Sequence, residues 1–424
     1  MDDVFVVGID DDNRAMLERL PSAERSRFHG LVRYDELRGV AEFDLPGLVA
    51  LAEERLRSFD GTIAAIVTLL DFPATELVPL LARRHGIRAP SLEAVLRCSH
   101  KYWSRLHQRE VVPECVPRFV VFDPAAERAV EDMGLAYPFW VKPLNAYRSR
   151  LGFRVGGPAD LEAVLPLLRE ELPKLAEPLA FVMRQADVPD SIAGLGPSIC
   201  IAEELIGGRQ CTLEGYVHGG RARVYGVVDT IRDANRISFA RYQYPSSLPR
   251  RVQARMVDAA VGVLEHIGYD DGCFNVEMFW DRGRDRVWLL EVNPRLSQSH
   301  CELFEKVDGV SSAQVMLDVA RGEQPDPPRG HGQAAVAATC FVRAYVDGVV
   351  TRAPTAEEVA AAEAAAADAS VTVHVAEGTV LGELSDQDSY SYELATIRLA
   401  ASGERELLRQ LREVRSALPF TIEG

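Results

Sequence analysis

The residues best placed to do chemistry lie in one short stretch near the middle of the chain. Glu277 sits in the apolar run Cys273–Trp280, and Glu291 and Asn293 sit in a second run beginning at Val287. Asp281, Gly283 and Asp285 stand between the runs, so the pattern predicts an antiparallel hairpin. A turn centred near residue 284 sets Glu277 opposite Glu291, with Cβ atoms roughly 5 Å apart on one face. The period of two along a strand adds Asn275 and Asn293 to that face. Two carboxylates that close repel each other, and a cation between them relieves the repulsion. Together with an amide oxygen they form a hard-oxygen site suited to Mg²⁺ or Mn²⁺ shared with phosphates. Arg295 follows Asn293 by two residues and joins the same face if the strand continues. Its guanidinium could hold a transferring phosphoryl group or an acyl phosphate.

A large α/β scaffold has to position these groups. The chain has 424 residues, 47% of them hydrophobic, with 47 Lys and Arg against 63 Asp and Glu, a net charge of −16. That balance argues against nucleic acid or an anionic membrane as partner, while leaving room for a local basic pocket. No apolar run reaches the ~20 residues needed to span a bilayer. The start, Met1-Asp2-Asp3-Val4, lacks a secretory pattern. Seven scattered cysteines, none spaced Cys-x-x-Cys, fit a reducing cytoplasm better than a disulfide or zinc framework.

To about residue 95, strands at 4–9 and 63–70 alternate with helices at 13–20, 48–58 and 74–84, which is βαβ layering on a parallel sheet. The sequence after Val7 is Gly8-Ile9-Asp10-Asp11-Asp12, and three acids where a pyrophosphate would sit exclude a dinucleotide fingerprint. Strands are expected at 118–122, 139–142, 152–155, 180–183, 199–206, 211–217 and 223–229, and helices at 159–171 and 250–267. The Pro- and Gly-rich run 322–332 reads as a connector. Beyond it come a strand at 335–345, a capping box of Thr355 with Glu358 opening a helix at 357–369, a strand at 371–375 and a closing helix at 404–418.

With these elements placed, the hairpin Glu277…Glu291-Val-Asn293-Pro-Arg295 resembles the metal-binding end of the ATP-grasp superfamily. Three further motifs match that family in order over about residues 96–325. His100-Lys101 and Phe139-Trp-Val-Lys142-Pro143 look like its two nucleotide lysines, and Glu203-Glu204-Leu205-Ile206-Gly207 looks like the hinge that clasps adenine. The resemblance implies an ATP-grasp fold of mixed α/β and α+β class. Its units are a βαβ domain over 1–95, a grasp region over 96–328 with a lid at about 125–205, and a small C-terminal α+β domain over 329–424. It implies that Lys101 and Lys142 neutralise ATP phosphates, and that the Glu203 carbonyl and Ile206 amide meet the adenine edge, their side chains mattering less. Gln210 stands where the family often has a ribose-binding acid. The loop 143–152 should close over the phosphates, with Ser149, Arg148 and Arg150 in place of a glycine run.

The overall layout is also similar to the biotin-carboxylase-like branch, including the closing strand from Tyr390 and the last helix. One departure is informative. Where that branch follows its metal-side arginine with Ile-Gln-Val-Glu-His, this chain has Leu296-Ser297-Gln298-Ser299-His300. A serine hydroxyl cannot deprotonate bicarbonate unaided, so bicarbonate activation is not expected. The expectation is a carboxylate–amine ligase that joins an amino acid or similar small acid to an amine acceptor through an acyl phosphate, releasing ADP and phosphate. Ser297, Ser299 and His300 would border the acyl-phosphate pocket, with His300 taking the amine proton and Arg241 contacting substrate. An acid–thiol ligase and an ATP-binding protein without chemistry are the alternatives. Dimers are common among such ligases, and the sequence leaves the oligomeric state open.

Overall fold

The computed structural model describes residues 1–37, 44–126, 134–145, 151–196, 198–384, 387 and 390–424. It opens with β1 (Asp2–Ile9), α1 (Asp11–Glu18), β2 (Ser26–Arg33), α2 (Tyr34–Leu37), α3 (Leu45–Arg57), β3 (Ile63–Thr68) and α4 (Ala74–His85). The strands form a parallel sheet of order β2-β1-β3, as βαβ layering requires. Asp10 caps α1 by accepting from the Asn13 amide, so at least one of the three acids serves a helix start. The strand β2 escaped the sequence reading.

Next come α5 (Leu92–Ser99), α6 (Lys101–Val111), β4 (Phe119–Phe122), β5 (Phe139–Pro143), β6 (Phe153–Val155), α7 (Pro158–Met183), α8 (Asp190–Ala193) and β7 (Cys200–Glu204). Their strands form an antiparallel sheet of order β4-β7-β5-β6. The strand expected at 180–183 is instead the last turn of α7. Leu161, Leu165, Leu168, Leu172, Leu175, Leu179 and Val182 are all buried at helical spacing, and that stripe carries the helix past Pro166, Pro173 and Pro178.

The remaining elements are β8 (Arg209–His218), β9 (Arg221–Arg232), β10 (Phe239–Tyr244), α9 (Arg250–Ile267), β11 (Gly272–Asp281), β12 (Arg286–Asn293), α10 (Cys301–Asp308), α11 (Ser312–Ala320), β13 (Val336–Ala344), β14 (Val349–Arg352), α12 (Ala356–Ala364), β15 (Ser370–Val373), β16 (Tyr392–Ala401), α13 (Glu404–Ser416) and β17 (Thr421–Glu423). Eight strands make one sheet, ordered β12-β11-β8-β9-β10-β13-β16-β15. The capping box opens α12 as expected, with both reciprocal bonds present. One apolar core joins Val4 and Val67 of the first sheet to Tyr216, Phe304 and Leu317, fixing the first sheet against the large one. Among the described residues, no helix is long and apolar enough to cross a membrane.

Candidate active site

The hairpin β11–β12 has the expected register. Glu277 faces Glu291 and Asn275 faces Asn293. Nearer the turn, Met278 pairs with Leu289, so Leu290 is an extra residue and the hairpin carries a bulge beside the two glutamates. The Asn293 amide donates to Asn275 Oδ1 at 3.2 Å and to Glu277 Oε1 at 3.4 Å. On the neighbouring strand β8, Gln210 donates to Glu277 Oε2 at 2.8 Å, while its own Oε1 accepts from Arg232 at 2.6 and 2.9 Å. Gln210 is therefore committed to the carboxylate cluster by both ends of its amide.

Cations reach this face from α6 and β5. Lys101 Nζ lies 2.9 Å from Glu291 Oε2, and Lys142 Nζ lies 2.6 Å from Glu203 Oε2. The Glu203 side chain is buried and also meets Arg105 Nε at 2.5 Å. The Glu203 side chain thus joins a buried ion-pair network, a role that the resemblance did not assign to it. Arg105 goes on to donate to the carbonyls of Leu289 at 2.9 Å and Leu290 at 2.7 Å, at the bulge itself. Lys101 and Arg105 lie one helical turn apart, and that spacing could have revealed Arg105 in the sequence.

Past the hairpin, Arg295 is not a continuation of the strand. It turns to the first unit, where its Nε and Nη2 both lie 2.5 Å from Asp71 Oδ1. Ser297 and Ser299 share a 3.0 Å contact between hydroxyls. Glu214, fully buried on β8, collects this segment. It accepts from Asn275 at 2.6 Å and from the Ser297 amide at 3.2 Å, and meets His300 Nδ1 at 2.7 Å. His300 Nε2 is buried without a hydrogen-bond partner among the described residues, and the Tyr242 ring stands edge-on to the imidazole at 4.9 Å. Sequence reasoning missed Glu214, yet Gln210, Thr212 and Glu214 alternate with Cys211 and Leu213, a polar face in a buried strand.

Apart from the fully buried Glu214, these side chains line one cavity of about 1470 Å³ between the first sheet, the β4–β7 sheet and the large sheet. Glu204 and Ile206 line it as well. The chain between β7 and β8 needs glycine at 208, where φ is +129° and a Cβ would stand 2.2 Å from the Trp280 carbonyl oxygen. Among the expected site residues that the structure describes, Arg241 is the exception. It does not line the cavity, because on β10 it alternates with Tyr242, which does, and it reaches Gln243 at 3.0 Å and Glu404 at 3.5 Å. Ser149, with Arg148 and Arg150, lies outside the described residues.

The electrostatics separate the two facing glutamates. Burial, and then the charge of Glu291, push the Glu277 carboxyl up. Burial acts the same way on Glu291, but Lys101 and Lys142 outweigh it and hold that carboxyl low. Glu203 is also buried, yet Arg105 and Lys142 bring it down to about 2. The donor set fits a hard divalent cation. Two carboxylates and the Asn293 amide share one face, and Glu277 has no cation within salt-bridge distance among the described residues.

Residues 228–326 match the family described as carbamoyl-phosphate synthase L chain, ATP binding domain. Over 100 residues the chain is 33% identical to the carbamoyl phosphate synthase large chain of Xylella fastidiosa, covering 24% of this chain and 9% of that protein. The match thus spans about a tenth of the curated relative's length. Among solved structures, the L-amino acid ligase from Bacillus licheniformis is similar over 100% of this chain and 99% of its own, with TM-score 0.74 at 16% identity. The carboxyaminoimidazole ribonucleotide synthase from Aspergillus clavatus aligns over 98% of both chains with TM-score 0.65 at 14% identity. Biotin carboxylase from Campylobacter jejuni aligns over 99% of this chain and 92% of its own with TM-score 0.63, also at 14% identity. At such identities the likeness establishes a shared fold.

Proposed function

On the ATP-grasp fold that the chain carries, we propose an ATP-dependent carboxylate–amine ligase whose acid substrate is an amino acid or similar small acid. The observation that carries this reading is the convergence of Glu277, Glu291, Lys101, Lys142 and Arg295 on one cavity. Lys101 and Lys142 neutralise ATP phosphates, and Glu204 to Ile206 border the adenine. Glu277, Glu291 and Asn293 would hold Mg²⁺ (or Mn²⁺), which neutralises phosphate charge when bound. Asp71 set against Arg295 offers an acceptor and a donor side by side, matched to the ammonium and carboxylate of an α-amino acid.

In the proposed reaction a carboxylate oxygen attacks the γ-phosphorus of ATP, the bond to the β–γ bridging oxygen breaks, and ADP leaves behind an acyl phosphate. Arg295 holds the acyl phosphate oxygens. The amine nitrogen attacks the acyl carbon, the bond from that carbon to the phosphate oxygen breaks, and the departing phosphate takes the proton that the nitrogen loses as the amide forms. His300 takes a positioning role here, in place of the proton-accepting one expected from its place after Arg295. Both its nitrogens are buried and one is committed to Glu214, which in turn holds the Ser297 turn. Seven free, buried cysteines support a reducing cytoplasm as its location.

The test is ADP release from the whole chain with Mg²⁺, ATP and pooled amino acids and small acids, with and without amine acceptors. Stimulation by an acid–amine pair, with the amide found by mass spectrometry, is the expected result. ATP binding with no stimulation by any pair defeats the ligase reading, and stimulation by thiols alone assigns the acceptor to the thiol class instead.

A further inference from the structure

Helix α6 has two working faces. Lys101, Ser104, Arg105 and Gln108 line the cavity. His107 and Glu110 lie three residues apart on another face, and both meet His266 of α9, the helix that α6 packs against. His266 stands in the last turn of α9, so the α6–α9 seam brings two imidazoles and a carboxylate together. One ligand atom from each of His107, Glu110 and His266 lies within 4.8 Å of the other two.

Two details set this cluster apart from an ordinary surface ion pair. Both ring nitrogens of His107 are shielded from solvent and have no hydrogen-bond partner among the described residues, an unusual state for a group able to make two bonds. The other two members already touch, with His266 Nε2 at 3.0 Å from Glu110 Oε2. The His107 and His266 rings meet edge to face at 5.2 Å.

We propose that His107, Glu110 and His266 form a binding site for a divalent transition-metal ion of the Zn²⁺ class, on the seam of α6 and α9 outside the ATP cavity. Two imidazoles and a single carboxylate favour Zn²⁺ over Mg²⁺, which takes oxygen donors and keeps its waters. Tetrahedral Zn²⁺ with bonds of about 2.0–2.1 Å needs donors roughly 3.4 Å apart. The His266–Glu110 pair is already closer than that, and the widest separation has to close by at most about 1.4 Å, a distance side-chain rotation covers. The three residues supply three ligands and solvent the fourth. Bound metal ties α6 to α9 and so steadies the helix that carries Lys101 and Arg105 into the cavity.

The experiment is calorimetric titration of the full chain with Zn²⁺ in excess Mg²⁺, which occupies the Glu277–Glu291 site and keeps the two sites distinct. One Zn²⁺ per chain is expected, with a rise in the thermal midpoint. Co²⁺ in place of Zn²⁺ should give the visible absorption of a tetrahedral site. His266→Gln should weaken Zn²⁺ binding at least about tenfold, as three protein donors fall to two. Glu110→Gln, at an exposed position where the fold is not at risk, should weaken it as well. Glu277→Gln should leave it unchanged. No Zn²⁺ binding, binding indifferent to both seam variants, or binding lost with Glu277→Gln would each overturn the proposal. None of these outcomes bears on ATP turnover.

Discussion

Glu277 and Glu291 face each other on one rung, yet their surroundings treat them oppositely. Glu291 has Lys101 within 2.9 Å, whereas Glu277 has amide donors and a like charge. Removing either charge should therefore change the metal-free protein in opposite directions. In a chelator at pH 8, Glu277→Gln should raise stability by about 1–2 kcal/mol, because an uncompensated buried charge is gone. Glu291→Gln should lower it by about 2 kcal/mol, because Lys101 loses its partner. Thermal unfolding checks this, and equal shifts of the same sign would refute the assignment. Both variants should lose ADP release by at least about 100-fold, since each removes a charge that supports the phosphates. Glu76 allows a cleaner pH argument. Burial raises its carboxyl from 4.5 to about 7. As pH rises through that window the unfolded chain releases this proton first, so native stability falls between pH 4.5 and 7. Glu76→Gln removes that loss, a difference of up to about 3 kcal/mol between pH 5 and 8 relative to the native chain. Urea midpoints at the two pH values measure it, and parallel profiles for both proteins would contradict the shift.

The hairpin shows what an element can disclose in advance. Residue types near its turn place the two glutamates opposite each other, because strand period and turn position together fix register. The bulge at Leu290 is invisible from the same residues, since it depends on Arg105 taking the Leu289 and Leu290 carbonyls from 184 and 185 residues away in sequence. Glu203, 98 residues from Arg105, was legible as a motif but not as the partner that holds this guanidinium. Helix α7 fails in the other direction. The sequence reading ended a helix at 171 and set a strand at 180–183, whereas one helix with three internal prolines runs through both and buries a leucine stripe to Val182. Burial of that stripe outweighs the breaks. Arg105 is thus a joint between α6, β7 and the bulge. Arg105→Met should destabilise the chain by about 3–5 kcal/mol, because it leaves Glu203 buried with only Lys142 and frees two carbonyls. Denaturant unfolding tests this, and a loss under about 1 kcal/mol would show that the joint carries little.

At the scale of the molecule, a chain of net charge −16 has gathered Lys101, Lys142, Arg105, Arg232 and Arg295 around one cavity. Asp71, Glu203, Glu277 and Glu291 line the same cavity, so its charge is near balance within an acidic protein, and a cation between the two facing glutamates would tip it toward a polyanion such as ATP. Long-range joints make that gathering possible. Arg295 to Asp71 and Gln298 to Asn13, the latter at 2.7 Å, tie the hairpin end to the first unit. The C-terminal strands are joined more deeply still. Composition set a unit boundary near residue 328, because the run Gly322–Gly332 reads as a connector, but connector residues do not reveal which strand the chain pairs with next. Here β13 pairs with β10, Tyr242 against Thr339 and Tyr244 against Ala337, so the large sheet passes through that boundary without a break. Removing residues 336–424 would then do more than trim a cap. It would strip β10 of one of its two partners, leave an open edge beside the apolar faces of Tyr242 and Phe239, and uncover the cavity wall formed by Thr339 and Phe341. The truncated chain should go to the insoluble fraction or elute as aggregate in size-exclusion chromatography, and recovered material should not bind ATP. A soluble, monodisperse 1–335 fragment that binds ATP as the whole chain does would show that the grasp region closes its own sheet edge, and that the continuous sheet is adjacency rather than dependence.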